Sequence, residues 1–168
     1  MKKILYLFVA IAAMTTVSSC SSDDDGGGSG SLKIGSSTFT PSTNTDVLLY
    51  NTTDVEAGTD VSVRYFSLIL GSMTSPSYLE LEVSYNTATG IDGTYAISNT
   101  IMAGKATVSF ETPELAYDST PAQGTLKVKD LGNNQFRLEF NSVSLADIDN
   151  ISPTIVAKGT ISPFFSPF

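Results

Sequence analysis

The sequence predicts an all-β fold: an antiparallel β-sandwich of roughly 8–10 strands, with a lipocalin-like β-barrel as the alternative. Three observations carry this expectation. Apolar and polar residues alternate with period two through most of residues 32–168, glycine- and asparagine-rich turns separate the runs, and no segment sustains a helical period. Each run has one apolar and one polar face, as a strand covered on one side must. Alternation does not separate a sandwich from a barrel, because both hide one face of every strand.

Four runs are the clearest. Leu79, Leu81, Val83 and Tyr85 alternate with Glu80, Glu82 and Ser84. Ala106, Val108 and Phe110 flank Thr107 and Ser109, and Leu126 and Val128 flank Lys127. Phe136, Leu138 and Phe140 alternate with Arg137 and Glu139. Weaker strands are predicted near 32–34, 37–40, 46–51, 61–70, 94–98, 142–146 and 154–161. Gly35-Ser36, Gly90-Ile91-Asp92-Gly93 and Gly132-Asn133-Asn134 punctuate them. The last joins two strong runs and predicts a hairpin.

The N-terminus has a different organisation. Met1-Lys2-Lys3 precedes an apolar run from Ile4 to Val17, which ends in Ser18-Ser19-Cys20. This is the three-part pattern of a secretory signal. The run is shorter than the ~20 apolar residues of a membrane span. Val17-Ser18-Ser19-Cys20 resembles a lipobox, although serine replaces the more usual glycine before the cysteine. The resemblance implies cleavage after residue 19 and lipidation of Cys20. Residues 20–31 then form a tether, Ser21-Ser22-Asp23-Asp24-Asp25 followed by Gly/Ser, with no apolar side chain to bury. Its reach is on the order of 20 Å. The expected organisation is a signal peptide over 1–19, an anchored tether over 20–31 and a single all-β domain over 32–168.

Charge and composition exclude several functions. Net charge is −8, and removing residues 1–19 takes two lysines and no acid, so the mature chain stands at −10. Such a chain lacks the basic footprint that nucleic acid needs. By net charge alone it is repelled from anionic lipid unless covalently held. The domain has no histidine, tryptophan or cysteine. The commonest general base, most zinc sites and thiol nucleophiles are therefore missing. No catalytic residue, cofactor or metal site is expected, and Cys20 has no thiol partner for a disulfide.

The remaining polar motifs read as surface features. Glu80 and Glu82 lie on one strand face roughly 7 Å apart. Glycosidase carboxylates instead oppose each other across a cleft. Asp147-Ile148-Asp149-Asn150 resembles the start of a calcium loop, but Ser152 and Lys158 stand where glycine and glutamate belong, so an EF-hand is excluded. The tail Ser162-Pro163-Phe164-Phe165-Ser166-Pro167-Phe168 carries two prolines that forbid a membrane strand. It is expected to pack on the domain or cover an edge.

Ser21 to Gly28 resembles the export signal of surface lipoproteins of the Bacteroidetes, in which serine and acidic residues follow the lipidated cysteine. The resemblance implies that Ser21, Ser22, Asp23, Asp24 and Asp25 direct the chain to the cell surface. Gly93-Thr94-Tyr95, Gly124-Thr125-Leu126-Lys127-Val128, Gly132-Asn133-Asn134-Gln135-Phe136 and Lys158-Gly159-Thr160-Ile161 are similar to small all-β lipoprotein domains of that group. Asp118-Ser119-Thr120 resembles its short O-glycosylation site, which implies Ser119 as an acceptor in a loop flanked by Pro113 and Pro121.

The functional expectation is an outer-membrane, surface-exposed lipoprotein acting as a non-enzymatic binding or accessory module. Its partner would be a glycan, an outer-membrane protein or another cell. Tyr50, Tyr65, Tyr78 and Tyr117 are the aromatic candidates for glycan stacking. The alternative is a carrier whose pocket of ~300 Å³ or more is lined by Phe136, Leu138 and Phe140. A hydrolase using carboxylates alone ranks third.

Overall fold

The structure, a computed structural model, describes residues 30–40, 50–55, 59–72, 74–119 and 123–167. The fold is all-β. Its strands are β1 (Leu32–Ile34), β2 (Ser37–Phe39), β3 (Tyr50–Val55), β4 (Val61–Ser72), β5 (Ser75–Asn86), β6 (Gly93–Ile97), β7 (Lys105–Glu111), β8 (Ala116–Asp118), β9 (Thr125–Gly132), β10 (Gln135–Asp147), β11 (Ile155–Ile161) and β12 (Ser166–Pro167). The predicted strands at 32–34, 37–40, 61–70, 94–98 and 154–161 are present, and the one at 46–51 appears as β3 from Tyr50 onward. The rest of that stretch lies outside the described residues.

The twelve strands among the described residues join one hydrogen-bonded array, eleven of them in the order β12-β3-β4-β5-β7-β6-β9-β10-β11-β1-β2. The short strand β8 pairs with both β7 and β10 and so closes β7-β6-β9-β10-β8 into a ring of five. Pairing is antiparallel except for β6 with β7 and β12 with β3. The array folds over a single core. Phe66 of β4 meets Phe136 of β10 with ring centres 5.1 Å apart, and Phe39 of β2 lies edge-on to Phe110 of β7 at 6.0 Å. Leu79, Leu81, Val108, Leu126, Leu138 and Leu145 are fully enclosed. Each such side chain contributes about 1.5–3 kcal/mol through burial.

The predicted hairpin forms as the sequence specifies. Gly132 pairs with Gln135, and Asn133 and Asn134 between them adopt φ of 52° and 59°. Two consecutive positive φ values make the tight turn that matches strand twist, and asparagine tolerates them well. Gly35-Ser36 likewise turns β1 into β2. Before β6, the buried Tyr95 hydroxyl donates to the Ile91 carbonyl, and burial, with Tyr85 and Asp92 nearby, pushes its pKa up to about 12.

The runs at 136–140 and 142–146 differ from expectation: they are one strand. The inward residues of β10 are Phe136, Leu138 and Phe140, then Val143 and Leu145. The phase changes at Asn141-Ser142, where the register against β11 jumps from Phe140–Gly159 to Val143–Ala157. This is a β-bulge, and Ser142 takes a positive φ of 52° to make it. One extra residue lets the chain keep its apolar side inward while the strand bends.

The C-terminal segment packs and covers an edge, as expected of it. Phe165 is 4% exposed and lies 5.0 Å from Phe66 and 5.8 Å from Phe136. β12 pairs with the outer edge of β3.

Candidate functional site

Cys20, Ser21, Ser22, Asp23, Asp24 and Asp25 lie outside the described residues. The described chain starts at Gly30 and enters β1 two residues later.

Ser119 is not the exposed loop acceptor that its motif implied. It follows β8 directly and is 1% exposed. Its Oγ accepts a hydrogen bond from the Val108 N–H at 3.0 Å, and its own N–H donates to the Val108 carbonyl at 2.9 Å. The motif therefore seals β8 against β7. A glycan on that oxygen would displace a buried hydrogen bond.

The acidic loop after β10 is organised by one carboxylate. Asp147 is 3% exposed, and its Oδ1 accepts from the Asp149 N–H at 3.0 Å. Its Oδ2 accepts from the N–H groups of Ile151 at 3.1 Å and Ser152 at 2.6 Å. The Asp149 hydrogen bond, then those of Ser152 and Ile151, hold the carboxyl below the ordinary aspartate range against the opposing effect of burial. Sequence reasoning treated this residue as a surface acid with calcium-loop spacing. The structure makes it an internal brace for the turn, with both oxygens engaged by backbone donors. Among the described residues, no group of three or more histidine, cysteine, aspartate or glutamate side chains is placed to hold a metal ion.

Glu80 and Glu82 stand on the outward face of β5, beside Ser67 and Tyr65 of β4 and Ser109 and Thr107 of β7. They project side by side, not across a cleft. Of the tyrosine candidates, Tyr78 is 40% exposed and Tyr65 is half-buried on the same face. Tyr117 belongs to the core, at 7% exposure against Phe110. Tyr50 opens β3 opposite Ser67, and its side chain lies outside the description.

Comparison with protein families, with curated proteins and with solved structures returns no match.

One inward polar residue escaped sequence reasoning. Arg64 precedes Phe66, Leu68 and Leu70 in the same period-two phase, so its side chain shares their inner face. Its guanidinium carbon stands 5.5 Å from the centre of the Phe136 ring. A cation over an aromatic face at that distance is attracted by the ring quadrupole. The phase with 66, 68 and 70 was the available signal. The residues named for a carrier lumen, Phe136, Leu138 and Phe140, are 2%, 0% and 2% exposed, and the rings of Phe66 and Phe165 sit on Phe136.

Proposed function

We propose that this chain is a lipid-anchored protein of the outer cell surface whose β domain is a non-enzymatic binding or accessory module. The observation that carries the reading is the order of parts. A cleavage motif, Val17-Ser18-Ser19-Cys20, is followed by an acidic Gly/Ser tether that runs straight into β1. An acidic Gly/Ser sequence with no apolar side chain is suited to holding a folded unit at a distance from its anchor. Acyl burial at ~0.8 kcal/mol per methylene, with more than one chain, gives stable attachment. The exposed face bearing Tyr65, Tyr78, Glu80 and Glu82 supplies aromatic and carboxylate groups suited to a glycan or to a surface protein.

Three measurements test this. Cys20→Ala should abolish lipid labelling and signal-peptide processing. Affinity capture from intact cells should recover a surface partner, and failure of both capture and a glycan array would remove the binding role. Replacing Asp23, Asp24 and Asp25 with alanine should leave the protein membrane-bound but shield it from protease added to whole cells. Undiminished cleavage would make the triplet a solubilising spacer and remove the main support for surface display.

A further inference from the structure

We infer that the outward surface of β9, β10, β11 and β1 docks on anionic headgroups of the membrane that carries the anchor, so that the domain lies oriented on that membrane. This rests on the lipid-anchored reading above. The chain is acidic overall, yet its cations are gathered. Of nine lysines and arginines, Lys2 and Lys3 belong to the leader, Arg64 faces inward and Lys105 sits at the seam of β6 and β7. The other five, Lys33, Lys127, Lys129, Arg137 and Lys158, share one outward surface, because the residues alternating with them are buried in the core. Glu139 is set among them on β10 and meets Lys127 at 3.9 Å, and Asp130 follows Lys129 at the far end of β9, where the Asp92 carboxylate accepts its N–H. The outward side of β5, β7 and β8 carries the opposite sign, in Glu80, Glu82, Glu111 and Asp118.

The register sets like charges against each other at the β1–β11 pairing, where Lys33 stands directly across from Lys158. Like charges in opposed positions destabilise a sheet. The Lys127–Glu139 contact is roughly half exposed on both sides, so it offsets little. A surface that weakens the sheet and is complementary to negative charge fits an anionic partner.

The position of the tether selects the membrane as that partner. The tether enters the domain at β1, a strand of this same surface, and Lys33 is the second residue of that strand. With a reach on the order of 20 Å, it holds these cations near the headgroups. Each lysine or arginine near an anionic surface contributes about fivefold in partition, within a screening distance of ~10 Å. The anchor supplies the local concentration that makes such weak contacts sufficient.

The test uses the lipidated protein reconstituted in vesicles of phosphatidylcholine, with or without phosphatidylglycerol, and pulsed with an amine-reactive label. On anionic vesicles, labelling of Lys33, Lys127, Lys129 and Lys158 should fall several-fold relative to Lys105. The protection should vanish on neutral vesicles and at about 1 M salt, where screening acts within ~3 Å. In the K129Q/K158Q variant, the remaining protection should drop by about fivefold per charge removed. Equal labelling on both vesicle types would overturn the orientation. So would protection by a soluble anionic polysaccharide with none from anionic vesicles, which would assign the surface to that ligand. Protein that fails to float with vesicles would instead remove the anchor itself, and the orientation with it.

Discussion

Gly124 packs directly on the bulge at Ser142: a Cβ at position 124 would stand 2.5 Å from the Ser142 carbonyl oxygen, and the glycine's φ is +94°. Both facts demand glycine, because a side chain would collide with backbone and would be held in a conformation L-residues avoid. We expect Gly124→Ala to destabilise the domain by about 1–3 kcal/mol from backbone strain alone, with the collision adding to it. An unchanged midpoint in a urea titration would mean that β10 can straighten its bulge without loss.

Leu138 and Glu139 are neighbours with opposite surroundings. Leu138 is fully buried, and the Glu139 side chain is 47% exposed. Leu138→Ala should cost about 2–5 kcal/mol, and Glu139→Ala no more than about 0.5 kcal/mol. Equal losses in the same denaturant would contradict the register of β10, since a slip of one residue exchanges the two faces.

Asp147 makes stability depend on pH in a defined direction. Its folded carboxyl titrates below the ordinary aspartate range, so the unfolded chain takes up the proton first as pH falls. The stabilisation is therefore complete above the unfolded value and is lost as pH drops through the lowered folded one. Asp147→Ala should be less stable than the parent at neutral pH, and the gap should close progressively in acid. A gap of constant size from neutral to acid pH would show that the charge on Asp147 is not what braces the loop.

Ser119 should behave as a structural residue. Ser119→Ala leaves the buried Val108 N–H without its Oγ acceptor, which should cost about 1–3 kcal/mol. Intact-mass analysis of the protein from its native host should find no glycan at this position. A glycan mapped to Ser119 would mean that β8 separates from β7 in the mature protein.

The strands were legible where alternation ran long enough to have a phase, as in Leu79 to Tyr85. Ala116-Tyr117-Asp118 is too short for period two to register, so β8 and the ring it closes were invisible before the tertiary pairing was known. Asn141-Ser142 broke the phase of β10 and read as a strand boundary, because a bulge and a turn both place adjacent polar residues in sequence. The basic surface stayed hidden for a different reason. Lys33 and Lys158 come from opposite ends of the domain, and only the β1–β11 register brings them together. Net charge sums over the whole molecule and carries no information on such a division. Asp118-Ser119-Thr120 failed in the other direction, because a three-residue motif carries no information on burial.

The pairing of β1 with β11 and of β12 with β3 bears on when the chain acquires its shape. Each of these early strands has one neighbour close in sequence, β2 for β1 and β4 for β3, and one that comes late, and Phe165 must arrive before Phe66 and Phe136 have their third ring. Contacts this distant in sequence form slowly. On the lipid-anchored reading, the ring of β6 to β10 can close before the chain is complete, while the partners of β1 and β3 at the far end arrive last.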